Sequence, residues 1–167
     1  RVSIRARVCA DALEAVGCDR VVSMDLHSPQ IQGFFRIPVD NLMGLHALGD
    51  QVRADGAENL VVVAADTGFA DEARKFARYL NVPVAISVKQ RPDHNERAEV
   101  IDIIGDVRGK TALIVDDFVI SGGTLIEDAL NLKNKGAARV IAAVTHGVFS
   151  PGSMKRVANS ELEALYV

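Results

Sequence analysis

Apolar residues along the chain alternate between two rhythms. Ala6, Val8, Cys9, Ala12, Leu13 and Val16 recur at the spacing of one helix face, and Gly17 follows as a left-handed cap. Val21-Val22-Ser23-Met24 is then a short apolar strand. The same phrase occurs twice more. A helix around Leu45 to Arg53 closes near Gly56 ahead of the strand at 60–64, and a helix from about Thr124 to Asn134 closes at Gly136 ahead of the strand at 140–144. Apolar runs at 83–88 and 111–115 complete the set. Strands this continuously apolar are buried on both faces, so the pattern predicts an α/β fold with a parallel sheet flanked by helices.

Three of these strands run into a polar turn, Asp25-Leu26-His27-Ser28, Asp66-Thr67-Gly68 and Thr145-His146-Gly147, and the strand at 111–115 leads into Asp116-Asp117. In parallel sheets ligands sit beyond the carboxyl ends of the strands, so the polar clusters fall where a site belongs. Residues 30–41 lack a helical period and contain Gly33, Phe34, Phe35 and Pro38, which suits a connection between two α/β units. The expected division is 1–41 and 42–167. Residues 89–99 form a charged stretch that reads as a loop. The chain begins at Arg1 without a methionine, and its apolar end at 162–167 resembles a strand entering a sheet; both features point to a piece of something longer.

Composition narrows the classes. Of 167 residues, 49% are hydrophobic and 25% charged, enough for a core and unlike a disordered chain. With 19 Lys and Arg against 22 Asp and Glu, the net charge of -3 gives no general attraction to nucleic acid or anionic membrane; a polyanion must meet a local site. No apolar run approaches the length of a membrane span, and no signal segment opens the sequence. Two cysteines, Cys9 and Cys18, form neither a disulfide framework nor a metal set, and suggest a cytoplasmic setting.

The sharpest chemistry lies in Val115-Asp116-Asp117-Phe118-Val119-Ile120-Ser121-Gly122-Gly123-Thr124, between a buried strand and a helix. Gly122 and Gly123 allow close approach of backbone amides, and the helix N-terminus adds partial positive charge. Ser121 and Thr124 add hydroxyl donors, while Asp116 and Asp117 can accept from sugar hydroxyls. The combination suits a sugar phosphate. Its bland counterpart is an N-cap and turn that only starts a helix. Taken alone, Asp66-Thr67-Gly68, His27 after its strand, and Lys89 and Arg91 among loop charges also fit capping or a solvated surface.

The phosphate-loop segment resembles that of the phosphoribosyltransferase-type fold. Residues 24–40, from Met24-Asp25-Leu26-His27-Ser28-Pro29 to Ile37-Pro38-Val39-Asp40, are similar to the ribose-phosphate pyrophosphokinase family, as are Ile103-Ile104-Gly105-Asp106-Val107 and Thr145-His146-Gly147-Val148-Phe149-Ser150. The resemblance covers essentially the whole chain, as the end of an N-terminal phosphoribosyltransferase-like half and most of a C-terminal one. It implies transfer of pyrophosphate from ATP to ribose 5-phosphate with Mg²⁺ as cofactor. It also implies a homo-oligomer built from dimers, with no nucleic-acid or membrane partner. Residue by residue, it makes His27 and Asp66 metal-binding, Lys89 and Arg91 catalytic, and Asp116, Asp117, Ser121, Gly122, Gly123 and Thr124 the ribose 5-phosphate loop.

Three departures stand against it. Ile120 occupies a position where the family carries an acid, Phe69 a position of glycine and Glu72 a basic position. Two other readings therefore remain: a phosphoribosyltransferase using phosphoribosyl pyrophosphate as donor, and a non-catalytic regulatory paralogue of the synthetase.

Overall fold

The computed structural model describes residues 2–90 and 99–167. They form two compact units, one ending at Gly44 and one running from Leu45 to Val167. The first contains helix α1 (Val2–Ala15), strand β1 (Val21–Met24), a 3-10 turn (Pro29–Phe34) and strand β2 (Val39–Leu42). β1 and β2 pair in parallel, with Val21 opposite Val39 and Met24 opposite Leu42. The segment expected to be a plain connection thus carries a strand. Its two central residues are polar because they serve neighbours: Asp40 pairs with Arg20 at 2.5 Å, and the Asn41 side-chain oxygen accepts from Ser23 Oγ and the Leu26 N–H.

In the second unit, helix α2 (Gly44–Ala54), which starts at the boundary, leads to strand β3 (Leu60–Ala64). Helix α3 (Ala70–Leu80), strands β4 (Val84–Gln90), β5 (Glu99–Ile104) and β6 (Thr111–Val119), and helix α4 (Gly123–Asn134) follow. Strand β7 (Arg139–Gly147), helix α5 (Ser153–Ala158) and strand β8 (Ala164–Tyr166) complete it. The sheet order is β5-β4-β3-β6-β7-β8. All pairs are parallel except β4–β5, where an antiparallel strand forms one edge. The expected parallel sheet flanked by helices is therefore present.

Both faces of the sheet are covered. One core layer packs Val61, Val63, Ile114 and Val140 against Leu125, Ala129 and Leu132 of α4 and Val157 of α5. The other packs Val62, Leu113 and Ile141 against Leu45 and Val52 of α2 and Ala73, Phe76, Ala77 and Leu80 of α3. Burial on both faces explains why β3 is apolar at every position. Gly17, Gly56 and Gly136 all have positive φ just beyond their helices, as the sequence pattern requires.

Two expected strand ends move. β6 continues through Asp116 and Asp117 to Val119, and β7 continues through Thr145 and His146 to Gly147, so these polar residues lie in strands and not in turns. β3 stops opposite Val115 and β8 stops opposite Ala143, so the last residues of β6 and β7 pair chiefly with each other. Of the stretch expected to be a charged loop, Lys89 and Gln90 end β4 and Glu99 begins β5, while residues 91–98 lie outside the described residues. Among the described residues no helix is long and apolar enough to cross a membrane.

Candidate functional site

The sheet changes direction of travel between β3 and β6. From β3 the chain crosses through α3 to β4 on one side; from β6 it crosses through α4 to β7 on the other. The two helices pack on opposite faces, leaving a crevice beyond the carboxyl ends of β3 and β6. Asp66 follows β3 and Asp116 and Asp117 occupy the end of β6, so three carboxylates meet there. Asp117 is 5% exposed, and one of its oxygens accepts the Phe118 N–H at 2.9 Å. Asp116 accepts the Asp117 N–H at 3.0 Å. Burial first, then the adjacent charges of Asp117 and Asp66, push the Asp116 carboxyl up to about 7. An extra positive or hydrogen-bonding group is therefore welcome at this edge.

Beyond β6 the backbone turns at Ser121-Gly122 into α4. Gly122 has φ +77, and a Cβ built there would lie 2.7 Å from Val157 Cγ2, so both backbone shape and space demand glycine. No side chain caps α4 and no acidic residue stands in its first turn. Its leading N–H groups lack intrahelical acceptors by construction, and the macrodipole makes that end positive. A local side-chain bond here is weak: the Gly123 N–H reaches Ser121 Oγ at 3.3 Å. Ser121 and Thr124 are exposed beside the turn.

The loop carbonyls face the protein. Val119 O accepts the Val148 and Phe149 N–H groups at 3.0 and 3.2 Å, Ile120 O accepts from Ser150 N at 2.8 Å, and Gly122 O accepts from Ile126 N at 3.0 Å. Ser121 O accepts from Arg156 Nη2 at 2.9 Å. Because each peptide is planar with C=O and N–H opposed, inward carbonyls turn the adjoining amides outward. A row of outward amides at an uncapped helix start is a cradle for a phosphate.

The structure thus brings Asp66, Asp116, Asp117, Ser121, Gly122, Gly123 and Thr124 to one crevice. His27 lies in the other unit, exposed on the turn after β1, where Asp25 has φ +41 and its carboxylate accepts the Gly44 N–H at 2.9 Å. Lys89 is located by its backbone opposite Val100, and Arg91 lies outside the described residues. Among the described residues, no group of three or more His, Cys, Asp or Glu is arranged to hold a metal. Of the departures, Ile120 is 49% exposed at the loop entrance, and Phe69 receives the Asp66 cap through its N–H at 3.0 Å. Glu72 pairs with Lys75 at 2.6 Å on the surface of α3. Sequence reasoning missed Arg156 and Val157 because they belong to a short helix whose pattern is too brief to declare itself.

A phosphoribosyl transferase domain matches residues 42–161, from the end of β2 to the segment before β8. The chain belongs to the phosphoribosyl transferase domain family. Within it, the chain is similar throughout its length to proteins named ribose-phosphate pyrophosphokinase. It is 49% identical to that of Nitrosomonas europaea and 45% identical to that of Aquifex aeolicus, covering all of this chain and 52% and 54% of theirs. The crystal structure of phosphoribosylpyrophosphate synthetase from Mycobacterium smegmatis superposes with TM-score 0.87 at 39% identity, covering 97% of this chain and 52% of that one. A purine phosphoribosyltransferase from Pyrococcus horikoshii shares the fold, with TM-score 0.50 at 18% identity over 89% of this chain and 93% of its own. The expected resemblance to ribose-phosphate pyrophosphokinases is borne out. The chain spans about half the length of the curated relatives it matches.

Proposed function

We propose that the whole protein transfers pyrophosphate from ATP to the anomeric hydroxyl of ribose 5-phosphate, giving phosphoribosyl pyrophosphate and AMP. One observation carries this reading over a phosphoribosyltransferase. The family domain begins at residue 42, yet the likeness to ribose-phosphate pyrophosphokinases also includes everything before it. The crevice supports the sugar half of the reaction. The outward amides of 121–123 and the Ser121 and Thr124 hydroxyls donate to the 5-phosphate, while Asp116 and Asp117 accept from ribose hydroxyls.

In the reaction, the anomeric oxygen attacks the β-phosphorus of ATP, the bond from that phosphorus to the αβ-bridging oxygen breaks, and AMP leaves. Lys89 and Arg91 are assigned to the developing negative charge, a role in which fixed cations act more strongly than water. Fixing the sugar against the nucleotide supplies the alignment, which is worth up to about 7–11 kcal/mol in favourable cases.

The donor set fits Mg²⁺, which takes one or two carboxylates plus substrate phosphates and does not need an all-protein cage. Asp66 and Asp116 would hold it. When bound, the ion neutralises phosphate charge. The family resemblance also assigns His27 to metal binding. A homo-oligomer built from dimers in the cytoplasm completes the reading.

The test is product analysis with the whole protein. AMP formation that requires ATP, Mg²⁺ and ribose 5-phosphate is expected. Pyrophosphate release from phosphoribosyl pyrophosphate on adding a nucleobase, without AMP formation, would assign a phosphoribosyltransferase instead. Neither product would assign a non-catalytic paralogue.

A further inference from the structure

We propose that Arg156, on α5, is a positioning residue that fixes the peptide between Ser121 and Gly122 so that its amide faces the sugar phosphate. The inference rests on the ribose 5-phosphate reading of this crevice.

Four consecutive carbonyls, 119 to 122, are held by the protein behind them. Three of those carbonyls accept from backbone N–H groups. The fourth, Ser121 O, accepts from the Arg156 guanidinium. That carbonyl belongs to the same planar unit as the Gly122 N–H, so the arginine sets the direction of an amide it does not touch. The anchor matters at this particular peptide because Gly122 is the residue best able to rotate away. Val157, next to Arg156, supplies the floor: its Cγ2 fills the space a Gly122 side chain would need. One turn of α5 therefore controls both the orientation and the depth of the loop.

The connection from β7 to α5 is shaped for the same end. Phe149 has φ +43, an uncommon conformation for a bulky residue. That turn lets the successive N–H groups of Val148, Phe149 and Ser150 converge on Val119 O and Ile120 O. Strain of this kind persists where surrounding structure enforces it, and functional loops are where it collects. Gly147 accommodates the Phe149 ring, since a Cβ there would lie 2.4 Å from it.

Arg156 is exposed, so its replacement opens no core. In the whole protein, Arg156→Ala is expected to weaken ribose 5-phosphate binding, measured by titration calorimetry, about tenfold, as for loss of a charge-assisted bond. The thermal midpoint and kcat at saturating sugar should stay near wild type while KM for the sugar rises, and Arg156→Lys should recover part of the affinity. The loss should persist at high salt, where screening removes a through-space attraction between arginine and phosphate. Wild-type affinity in Arg156→Ala would overturn the inference and leave the assignment of the sugar site standing. A loss that vanishes at high salt would overturn it in favour of simple charge attraction. Absence of ribose 5-phosphate binding by the wild-type protein would overturn the sugar-site reading, and the inference with it.

Discussion

Two strand-to-helix junctions lie side by side at the same edge of the sheet, and they are finished differently. After β3, Asp66 accepts the Phe69 N–H at 3.0 Å, and Asp71 and Glu72 stand in the first turn of α3. The 3-10 turn Thr67–Phe69 that leads into α3 thus has a capping partner, and the acids of the helix's own first turn neutralise its dipole. After β6, α4 starts from a left-handed glycine with neither a capping side chain nor an acid in its first turn. Equal parts of one fold thus become a closed end and an open one, and the difference lies in a few side chains. A helix start left unneutralised at a crevice is the part of the architecture available to an anion.

The largest effect should come from closing the open junction. Gly122→Ala places a methyl against Val157 and strains a left-handed backbone, so ribose 5-phosphate-dependent turnover in the whole protein should fall by about 100-fold, the scale expected when a binding loop shifts by an ångström. Retention of full turnover would show that the turn need not keep its shape.

The acid edge provides the next. Folded Asp116 keeps its proton up to about pH 7, whereas in the unfolded chain it loses it near the ordinary aspartate value of 3.8. Folding therefore takes up a proton between those values: the favourable contribution is complete below the lower one and is lost as pH rises through about 7. Asp116→Asn should flatten this fall and be more stable than wild type by about 2 kcal/mol at pH 8, as thermal midpoints across pH would record. A parallel fall in both proteins would exclude Asp116 as its source.

The smallest effect separates the caps. Asp66→Ala should cost about 1 kcal/mol of stability, read as a drop of several degrees in midpoint, whereas Ser121→Ala should cost only a few tenths. Equal losses would mean that the turn before α4 is held as firmly as the turn Thr67–Phe69 before α3.

The architecture was legible where burial is strong and uniform. Leu60–Ala64 and the core of β6 are apolar throughout, and glycines mark the ends of three helices. It was hidden where polar residues do structural work within strands. Asp40 and Asn41 disguise β2 because their side chains bind Arg20, Ser23 and Leu26. Asp116 and Asp117 look like a strand end since carboxylates are rare within sheets, yet their backbone pairs onward. Sequence reasoning missed α3 although its apolar face of Ala73, Phe76, Ala77 and Leu80 stands out sharply against the charges around it. At the site, the glycine turn and twin acids were visible because they are contiguous. Arg156 was not, since it meets Ser121 from 35 residues away.

The inward fastening of carbonyls 119–122 makes the loop chemically one-sided. It offers donors and withholds acceptors. Ammonium groups and free sugar hydroxyls seeking lone pairs gain little there, while a dianion satisfies several donors at once and displaces the water that would otherwise occupy them. If the proposed substrate is right, discrimination between a phosphorylated pentose and the bare sugar is written into which way a few peptide planes point.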